Sequence, residues 1–204
     1  MTSKLVRARV AAVLVGLAIA IPASGGAGRI SAASKIAIEN FGRIDTNYFR
    51  GAQPEGRDYA DLAALGVKIV INLTSDDAQP NERSMVESAG MKYVQIPMTT
   101  HQPPTPAQIA QFMKIVGDMP EQPVYVHCVG GSHRTGVMTA VYRMVHDSWT
   151  ADQAFAEMKK YKFGMDFLHP EFKSFVYSYQ PAAKPTTVIA TQVAPSATPV
   201  APVQ

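Results

Sequence analysis

Short apolar segments alternate with longer amphipathic segments through the middle of the chain. Apolar runs of strand length occupy residues 68–73, 92–96 and 123–127, and runs of this length between turn residues are typical of buried strands. A helical segment precedes each of them. The first two helices, predicted over residues 57–65 and 81–89, are each followed by a glycine, which is common just beyond a helix C-terminus.

Capping residues mark the later helices. Thr105 and Gln108 have the spacing of a capping box, with a proline at the first helical position, and the apolar residues that follow recur at helical spacing. Further helices are predicted around residues 137–145, after the capping residues Thr150 and Gln153, and over residues 170–177. Strands that alternate with helices predict an α/β domain. Its central sheet should be mostly parallel, contain about four to five strands and be covered by helices on both faces.

The N-terminus has the pattern of a secretory signal peptide. Lys4, Arg7 and Arg9 precede an apolar run over residues 10–21, and small residues follow it. The run is shorter than the ~20 residues that span a bilayer. We therefore expect residues 1–25 to be removed as a signal peptide. The protein should be periplasmic or secreted, with no stable membrane insertion after cleavage.

Composition divides the remainder of the chain into three parts. Residues 26–35 form a spacer, residues 36–180 form the predicted domain, and residues 181–204 form a tail rich in Pro, Ala and Thr that we expect to be disordered. The net charge of +3 equals the contribution of the three basic leader residues. The mature chain is therefore neutral, which gives no electrostatic case for nucleic-acid binding. We expect a monomer.

The segment His-Cys-Val-Gly-Gly-Ser-His-Arg-Thr-Gly over residues 127–136 carries the candidate chemistry. It lies between the third predicted strand and a helix, where backbone N–H groups and the helix dipole favour an anion. Gly130 and Gly131 should allow the backbone to curl around that anion. The predicted phosphate-binding residues are Val129, Gly130, Gly131, Ser132, His133 and Arg134.

Three side chains of this segment suit phosphoryl transfer. Cys128 is the sole cysteine, and the field that binds phosphate also stabilises its thiolate, the reactive form. Arg134 can bind two phosphate oxygens and stabilise the transition state. The hydroxyl of Thr135 can donate to the sulfur as it leaves. These roles predict two displacements through a phosphocysteine intermediate, with no cofactor and no metal.

The motif His-Cys-x5-Arg-Thr-Gly resembles the phosphate-binding loop of the protein tyrosine phosphatase superfamily, and within it the dual-specificity branch. The resemblance covers roughly residues 40–178 and includes an entry segment over residues 48–54 that is similar to bacterial members. His133 directly before Arg134 is similar to atypical plant and fungal dual-specificity phosphatases. The resemblance implies a cysteine-phosphatase fold and makes His127 a residue that orients the loop.

One part of the family's machinery is missing. The resemblance implies an aspartate general acid in the loop over residues 96–104, but the corresponding position is Thr100, which cannot serve as a carboxylic acid. Three explanations are open. His101 acts as the acid, or Asp76 or Asp77 reaches in from the loop after the 68–73 strand, or the enzyme has no dedicated acid and prefers substrates with good leaving groups.

The leading functional hypothesis is a phosphatase for phosphotyrosine, and also phosphoserine or phosphothreonine, in proteins or small molecules. Inositol polyphosphates or phosphoinositides are the alternative substrates. A sulfurtransferase and a non-catalytic phosphate-binding module are alternatives of other classes. Arg50 and Asp166 are interpreted as structural residues near the loops.

Overall fold

Five strands form one sheet in the order β1-β2-β5-β3-β4. Neighbouring strands run parallel except for β1, which pairs antiparallel with β2. The strands are β1 (Gly42–Arg43), β2 (Tyr48–Gly51), β3 (Ile69–Asn72), β4 (Lys92–Gln95) and β5 (Val124–His127). The predicted α/β class with a mostly parallel sheet is confirmed.

This computed structural model describes residues 36–75, 77–118 and 122–182. The predicted signal peptide (1–25), the spacer (26–35), Asp76 and most of the predicted tail (181–204) lie outside the described residues. Within the described residues, no helix is both long and apolar enough to cross a membrane.

Six helices flank the sheet in the described part of the chain. They are α1 (Asp58–Ala64), α2 (Glu82–Ser88), α3 (Pro106–Asp118), α4 (Arg134–His146), α5 (Ala151–Lys160) and α6 (Pro170–Ser178). Both predicted capping boxes form. Gln108 N donates to Thr105 Oγ1, and Gln153 N donates to Thr150 Oγ1, so each side chain satisfies an otherwise unpaired N–H at its helix start.

The sheet is buried on both faces because its central strands are apolar at every position except the last, Asn72 in β3 and His127 in β5. In β3, Ile69 and Ile71 pack on one side of the sheet, while Val70 packs on the other. In β5, Val126 and Tyr125 divide in the same way. Residues of α1 and α2 complete one core, and residues of α3 to α6 complete the other. This is the two-sided coverage expected of parallel strands.

The parallel strands end together at one edge of the sheet. Their last residues are Gly51, Asn72, Gln95 and His127. The loops that follow therefore gather at this edge, which is where ligands bind in open α/β sheets. The cysteine of the candidate motif directly follows β5, so the fold brings it to this edge.

Candidate active site

Cys128 opens the loop between β5 and α4, and we call residues 128–134 the phosphate loop. The thiol is buried and belongs to the core on the α4 side of the sheet. Arg134, the last residue of the loop, is also the first residue of α4. The loop therefore curls from the end of a buried strand to the positive end of a helix of 13 residues.

The carbonyl groups of the phosphate loop are held by partners outside it. Gln53 N donates to Val129 O at 2.9 Å, Asn40 Nδ2 donates to Gly130 O at 3.3 Å, and Arg50 Nη2 donates to Gly131 O. In a trans peptide the following N–H points away from its carbonyl, so the N–H groups of residues 130–132 face the opposite side. No acceptor among the described residues takes a backbone N–H of residues 129–134. Such a set of unpaired amides forms an anion-binding nest.

Gly131 is required where the loop crosses β2. Its φ of +65° lies in the left-handed region, and an added Cβ would overlap the carbonyl of Gly51 and lie 2.6 Å from Ala52 N. Gly130 has neither constraint, since its backbone does not have a positive φ and its surroundings are open. The geometry therefore calls for a glycine at position 131, whereas at position 130 it does not.

Arg50 supports the loop from inside the protein. Its side chain is fully buried, donates to Gly131 O, and places its guanidinium 4.1 Å from the centroid of the Tyr161 ring. Burial lowers the pKa of this arginine, and its Nε and Nη1 have no hydrogen-bond partner among the described residues. An unpaired buried cation raises the positive potential near the thiol. Arg50 therefore has the structural role predicted for it.

Arg134 holds the carboxylate of Asp77 in a two-bond fork. Nη1 lies 2.8 Å from Oδ1 and Nη2 lies 2.6 Å from Oδ2, and Nη1 also donates to Met98 O at 3.2 Å. Burial opposes the charge of Arg134, but Asp77 and the nearby Cys128 raise the pKa of its guanidinium above the ordinary value. Hydrogen bonds from Arg134 lower the pKa of the Asp77 carboxyl. The fork therefore holds a carboxylate with the geometry it would use for phosphate.

The candidates for the general acid separate in space. Asp77 reaches the site, because its carboxylate contacts Arg134. His101 is 73 % exposed, and its contacts are with the start of α6: its ring stacks on His169, and its Nδ1 lies 3.7 Å from Glu171 Oε1. Thr100 is exposed. Of the predicted acids that the structure describes, Asp77 is the one in contact with the phosphate loop.

His127 anchors the start of the loop through a buried polar network. Its Nε2 lies 2.8 Å from Glu82 Oε1, which is ion-pair distance for a protonated imidazole although the two atoms are not aligned as a hydrogen bond, and both side chains are fully buried. Asn72 Nδ2 donates to Glu82 and to the Tyr93 hydroxyl, while Asn72 Oδ1 accepts from Thr74. The ends of β3 and β5 are thereby tied to α2. This fits the orienting role implied for His127, whereas Glu82 was missed because a glutamate in the first turn of a short helix resembles a solvated residue.

His133 attaches the phosphate loop to the segment after α5. Its Nε2 lies 3.0 Å from Phe163 O, and its ring centroid lies 3.7 Å from that of His169. Burial lowers the pKa of His133. A neutral ring that donates from Nε2 to the carbonyl satisfies this arrangement. The side chain of His133 thus holds the loop in place, while its amide remains among the unpaired N–H groups.

The remaining predicted residues have distinct positions. Thr135 Oγ1 is buried and has no hydrogen-bond partner among the described residues, so its predicted bond to the sulfur is not formed here. Ser132 Oγ interacts with Gly130 O and with Asn40, which makes its side chain structural. Asp166 pairs with Lys159 and Lys173, each at 2.7 Å, and so joins α5 to α6.

A pocket of about 390 Å³ adjoins the phosphate loop at Val129. Its lining includes Ala52, Gln53, Asp77 and Gln79. Its further lining includes the carboxylates of Glu39, Glu55 and Asp58. Lys162 pairs with Glu39 at 2.7 Å. The pocket is therefore lined mainly by neutral and acidic groups.

The chain is similar to known phosphatases. A family model described as DSP-PTPase phosphatase fused to NAD+ kinase matches residues 33–174. Dual specificity protein phosphatase TpbA from Pseudomonas aeruginosa is 29 % identical over 125 residues, which cover 61 % of this chain and 56 % of TpbA. Inositol diphosphatase SIW14 from Saccharomyces cerevisiae is 24 % identical over 130 residues, covering 61 % of this chain and 46 % of SIW14. The chain thus spans about half the length of these relatives.

Solved structures of both relatives share the fold. The structure of TpbA in complex with pTyr matches with a TM-score of 0.59 at 25 % identity, over 68 % of this chain and 83 % of that one. The core catalytic domain of SIW14, a PP-IP phosphatase, in complex with citrate matches with a TM-score of 0.61 at 21 % identity, over 70 % of this chain and 86 % of that one.

Proposed function

Because the chain belongs to the DSP-PTPase family of cysteine phosphatases, we propose that it hydrolyses phosphate monoesters through a phosphocysteine intermediate at Cys128. The observation that carries this proposal is the set of unpaired loop amides between Cys128 and Arg134. These amides and the guanidinium bind a phosphate at the positive end of α4, within reach of a thiolate. The same amides have no acceptor within the described protein, so they are free to donate to the oxygens of a bound anion.

The first displacement forms a sulfur–phosphorus bond. The Cys128 thiolate attacks phosphorus, the phosphorus–oxygen bond of the ester breaks, and the leaving oxygen takes a proton. The loop amides and Arg134 stabilise the charge on the three equatorial oxygens. In the second displacement, water attacks phosphorus and the thiolate leaves. The buried, unpartnered hydroxyl of Thr135 is then available to donate to the departing sulfur.

Asp77 is the proton donor in this proposal. In the substrate-free site the Asp77 carboxylate forms an ion pair with Arg134, which lowers the pKa of Asp77 and keeps the carboxylate charged. A bound phosphate takes over the guanidinium, so Asp77 loses the partner that lowered its pKa and gains an anionic neighbour. Both changes favour the protonated form. The acid is thus charged until substrate arrives and protonated once it is bound, and it later activates water as the base.

The charges around the site support phosphotyrosine as the preferred substrate. The adjoining pocket includes Glu55 and Asp58, which repel additional phosphate groups, while the charge of Glu39 is balanced by Lys162. A phosphotyrosine side chain carries a single phosphate on an uncharged ring. Cationic residues next to the phosphotyrosine in a substrate peptide would be attracted to the acidic lining of the pocket. Inositol phosphates are the second candidate, because the inositol diphosphatase SIW14 is also a relative.

Two comparisons test the reaction and the substrate. Residues 36–182 should hydrolyse 4-nitrophenyl phosphate, and Cys128→Ser should abolish the activity. Equal inactivity of both proteins would favour a binding module, and sulfur transfer from thiosulfate without phosphatase activity would favour a sulfurtransferase.

Phosphotyrosine peptide should then be cleaved faster than inositol hexakisphosphate, and Glu55→Lys should shift the ratio of the two rates toward the inositol substrate. A preference for the inositol substrate in the parent protein would overturn the choice of phosphotyrosine.

We also propose that residues 1–25 direct export, on the strength of their basic and apolar pattern. Fusion of these residues to an alkaline phosphatase reporter, which folds only in an oxidising compartment, should give an active reporter. Replacing a central apolar residue of the run over residues 10–21 with arginine should abolish that activity. An inactive reporter with the unaltered leader would contradict the proposal.

A further inference from the structure

A cluster of metal-ligating side chains lies outside the catalytic loop. His101 comes from the loop between β4 and α3, while His169 and Glu171 come from the start of α6. We propose that these three residues bind one divalent transition-metal ion, with zinc as the leading candidate. The site is separate from the phosphate loop and is not needed for the chemistry of Cys128.

The distances within the cluster suit a tetrahedral ion. Nδ1 of His169 lies 3.1 Å from Glu171 Oε1, and Nδ1 of His101 lies 3.7 Å from the same oxygen. One donor atom from each of the three residues can be chosen so that all lie within 4.8 Å of one another. Zinc bonds to nitrogen and oxygen are about 2.0–2.1 Å, so two ligands of a tetrahedral ion are roughly 3.4 Å apart. The two separations from the carboxylate oxygen bracket this value, and side-chain rotation would bring the two imidazole nitrogens to it.

The ligand types select the metal. Two imidazoles and one carboxylate suit zinc, cobalt or nickel, whereas magnesium and calcium prefer oxygen ligands alone. Three protein ligands leave a fourth position for water or for a group from a substrate. His101 is 73 % exposed, so an ion can reach the cluster from solvent.

Metal binding at this site would connect two loops near the catalytic centre. The ion would fasten the β4–α3 loop to α6 through His101. That same loop contributes Met98 O to Arg134, and the His169 ring packs at 3.7 Å against His133 of the phosphate loop. Occupancy of the site therefore fixes the position of the β4–α3 loop relative to the phosphate loop.

The experiment uses the Cys128→Ser protein, because a catalytic thiolate would itself bind zinc. Zinc affinity is measured by competition with a chromophoric chelator, and cobalt binding by visible absorption. We expect one equivalent of zinc and the intense visible bands of tetrahedral cobalt. Adding His101→Ala should weaken zinc binding by at least about tenfold, since losing even an outer hydrogen-bond partner of a ligand costs about 10–100-fold. Glu171→Gln should have a similar effect.

His146→Ala is the matched control. His146 is also an exposed histidine beside a carboxylate, with its Nδ1 2.7 Å from Asp147 Oδ1, but it lies at the far end of α4. Its replacement should leave zinc affinity and the cobalt spectrum unchanged. The proposal is overturned if the parent binds no zinc, if His101→Ala binds it as tightly as the parent, or if His146→Ala weakens binding equally.

Discussion

Replacing Asp77 with asparagine tests the two roles that the structure gives this carboxylate. In the substrate-free site Asp77 occupies the fork of Arg134 through bonds of 2.8 and 2.6 Å. A bound phosphate must displace the Asp77 carboxylate from Arg134. The free energy of the Asp77–Arg134 ion pair therefore weakens phosphate binding by the same amount. Hydrogen bonds to charged groups contribute roughly 1.5–3 kcal/mol each. The Asp77 side chain is 32 % exposed, so solvent screening reduces the whole pair to about 1–2 kcal/mol.

That difference corresponds to about 5–30-fold in affinity. In the Cys128→Ser background, Asp77→Asn should therefore bind inorganic phosphate about 5–30-fold more tightly, as measured by calorimetry. In the active enzyme the same change removes the proton donor. Turnover of phenyl phosphate, whose leaving group needs protonation, should fall by about 10²–10⁴-fold. Turnover of 4-nitrophenyl phosphate, which has a better leaving group, should fall much less.

Glu55→Gln provides the control for general charge effects. Glu55 lines the same pocket, but it is exposed and is not a hydrogen-bond partner of Arg134. Its replacement should change phosphate affinity by less than Asp77→Asn and leave the ratio of the two turnover rates unaltered. Phosphate affinity that is unchanged or weaker in Asp77→Asn would refute the displacement argument. Equal losses for both aryl phosphates would refute the role of Asp77 as the acid.

Three further predictions concern stability. A left-handed backbone costs about 1–3 kcal/mol for a residue other than glycine, and the Cβ of Gly131→Ala would also overlap β2. Gly131→Ala should therefore lower the free energy of unfolding, measured in urea, by more than this amount. Gly130→Ala should change it by less than about 0.5 kcal/mol. Glu82→Ala leaves the buried amide of Asn72 without an acceptor and should cost about 1–3 kcal/mol. Glu87→Ala on the exposed face of the same helix should cost little. The lowered pKa of Asp77 means that its contribution to stability is complete above its unfolded pKa of about 3.9 and is lost as pH falls through the lower folded value. The difference in unfolding free energy between the parent and Asp77→Asn should accordingly be constant from pH 6 to 8 and shrink below about pH 4; a difference that grows toward acid pH would contradict this sign.

Local sequence patterns predicted the parts of the site that one segment encodes. The strand before Cys128, the helix after Arg134 and the six-residue spacing between them lie within a single stretch, so periodicity and residue type suffice. The alternation of strands and helices also predicted the parallel sheet, because parallel neighbours require crossover helices. Likewise, the capping boxes are short-range features that formed as expected.

The partners that complete the site come from distant segments and were less accessible to sequence reasoning. Asp77 is 57 positions from Arg134, and its residue type also suits an ordinary solvated turn. Glu82 is buried against His127 although it occurs among polar residues of a short helix. Gly130 and Gly131 look equivalent in sequence, and the left-handed backbone of Gly131 at its crossing of β2 distinguishes them. In each case the deciding contact depends on how the sheet brings its strand ends together.

The most direct test of the central claim is to trap the covalent intermediate. The enzyme is mixed with excess aryl phosphate, quenched within the first turnovers, digested and examined by mass spectrometry. The mechanism predicts one added phosphoryl group on the peptide that contains Cys128. This phosphopeptide should be absent in Cys128→Ser. It should accumulate in Asp77→Asn when the second displacement is slowed. Hydrolysis of the aryl phosphate that persists in Cys128→Ser, or a phosphoryl group found on another residue, would contradict the account.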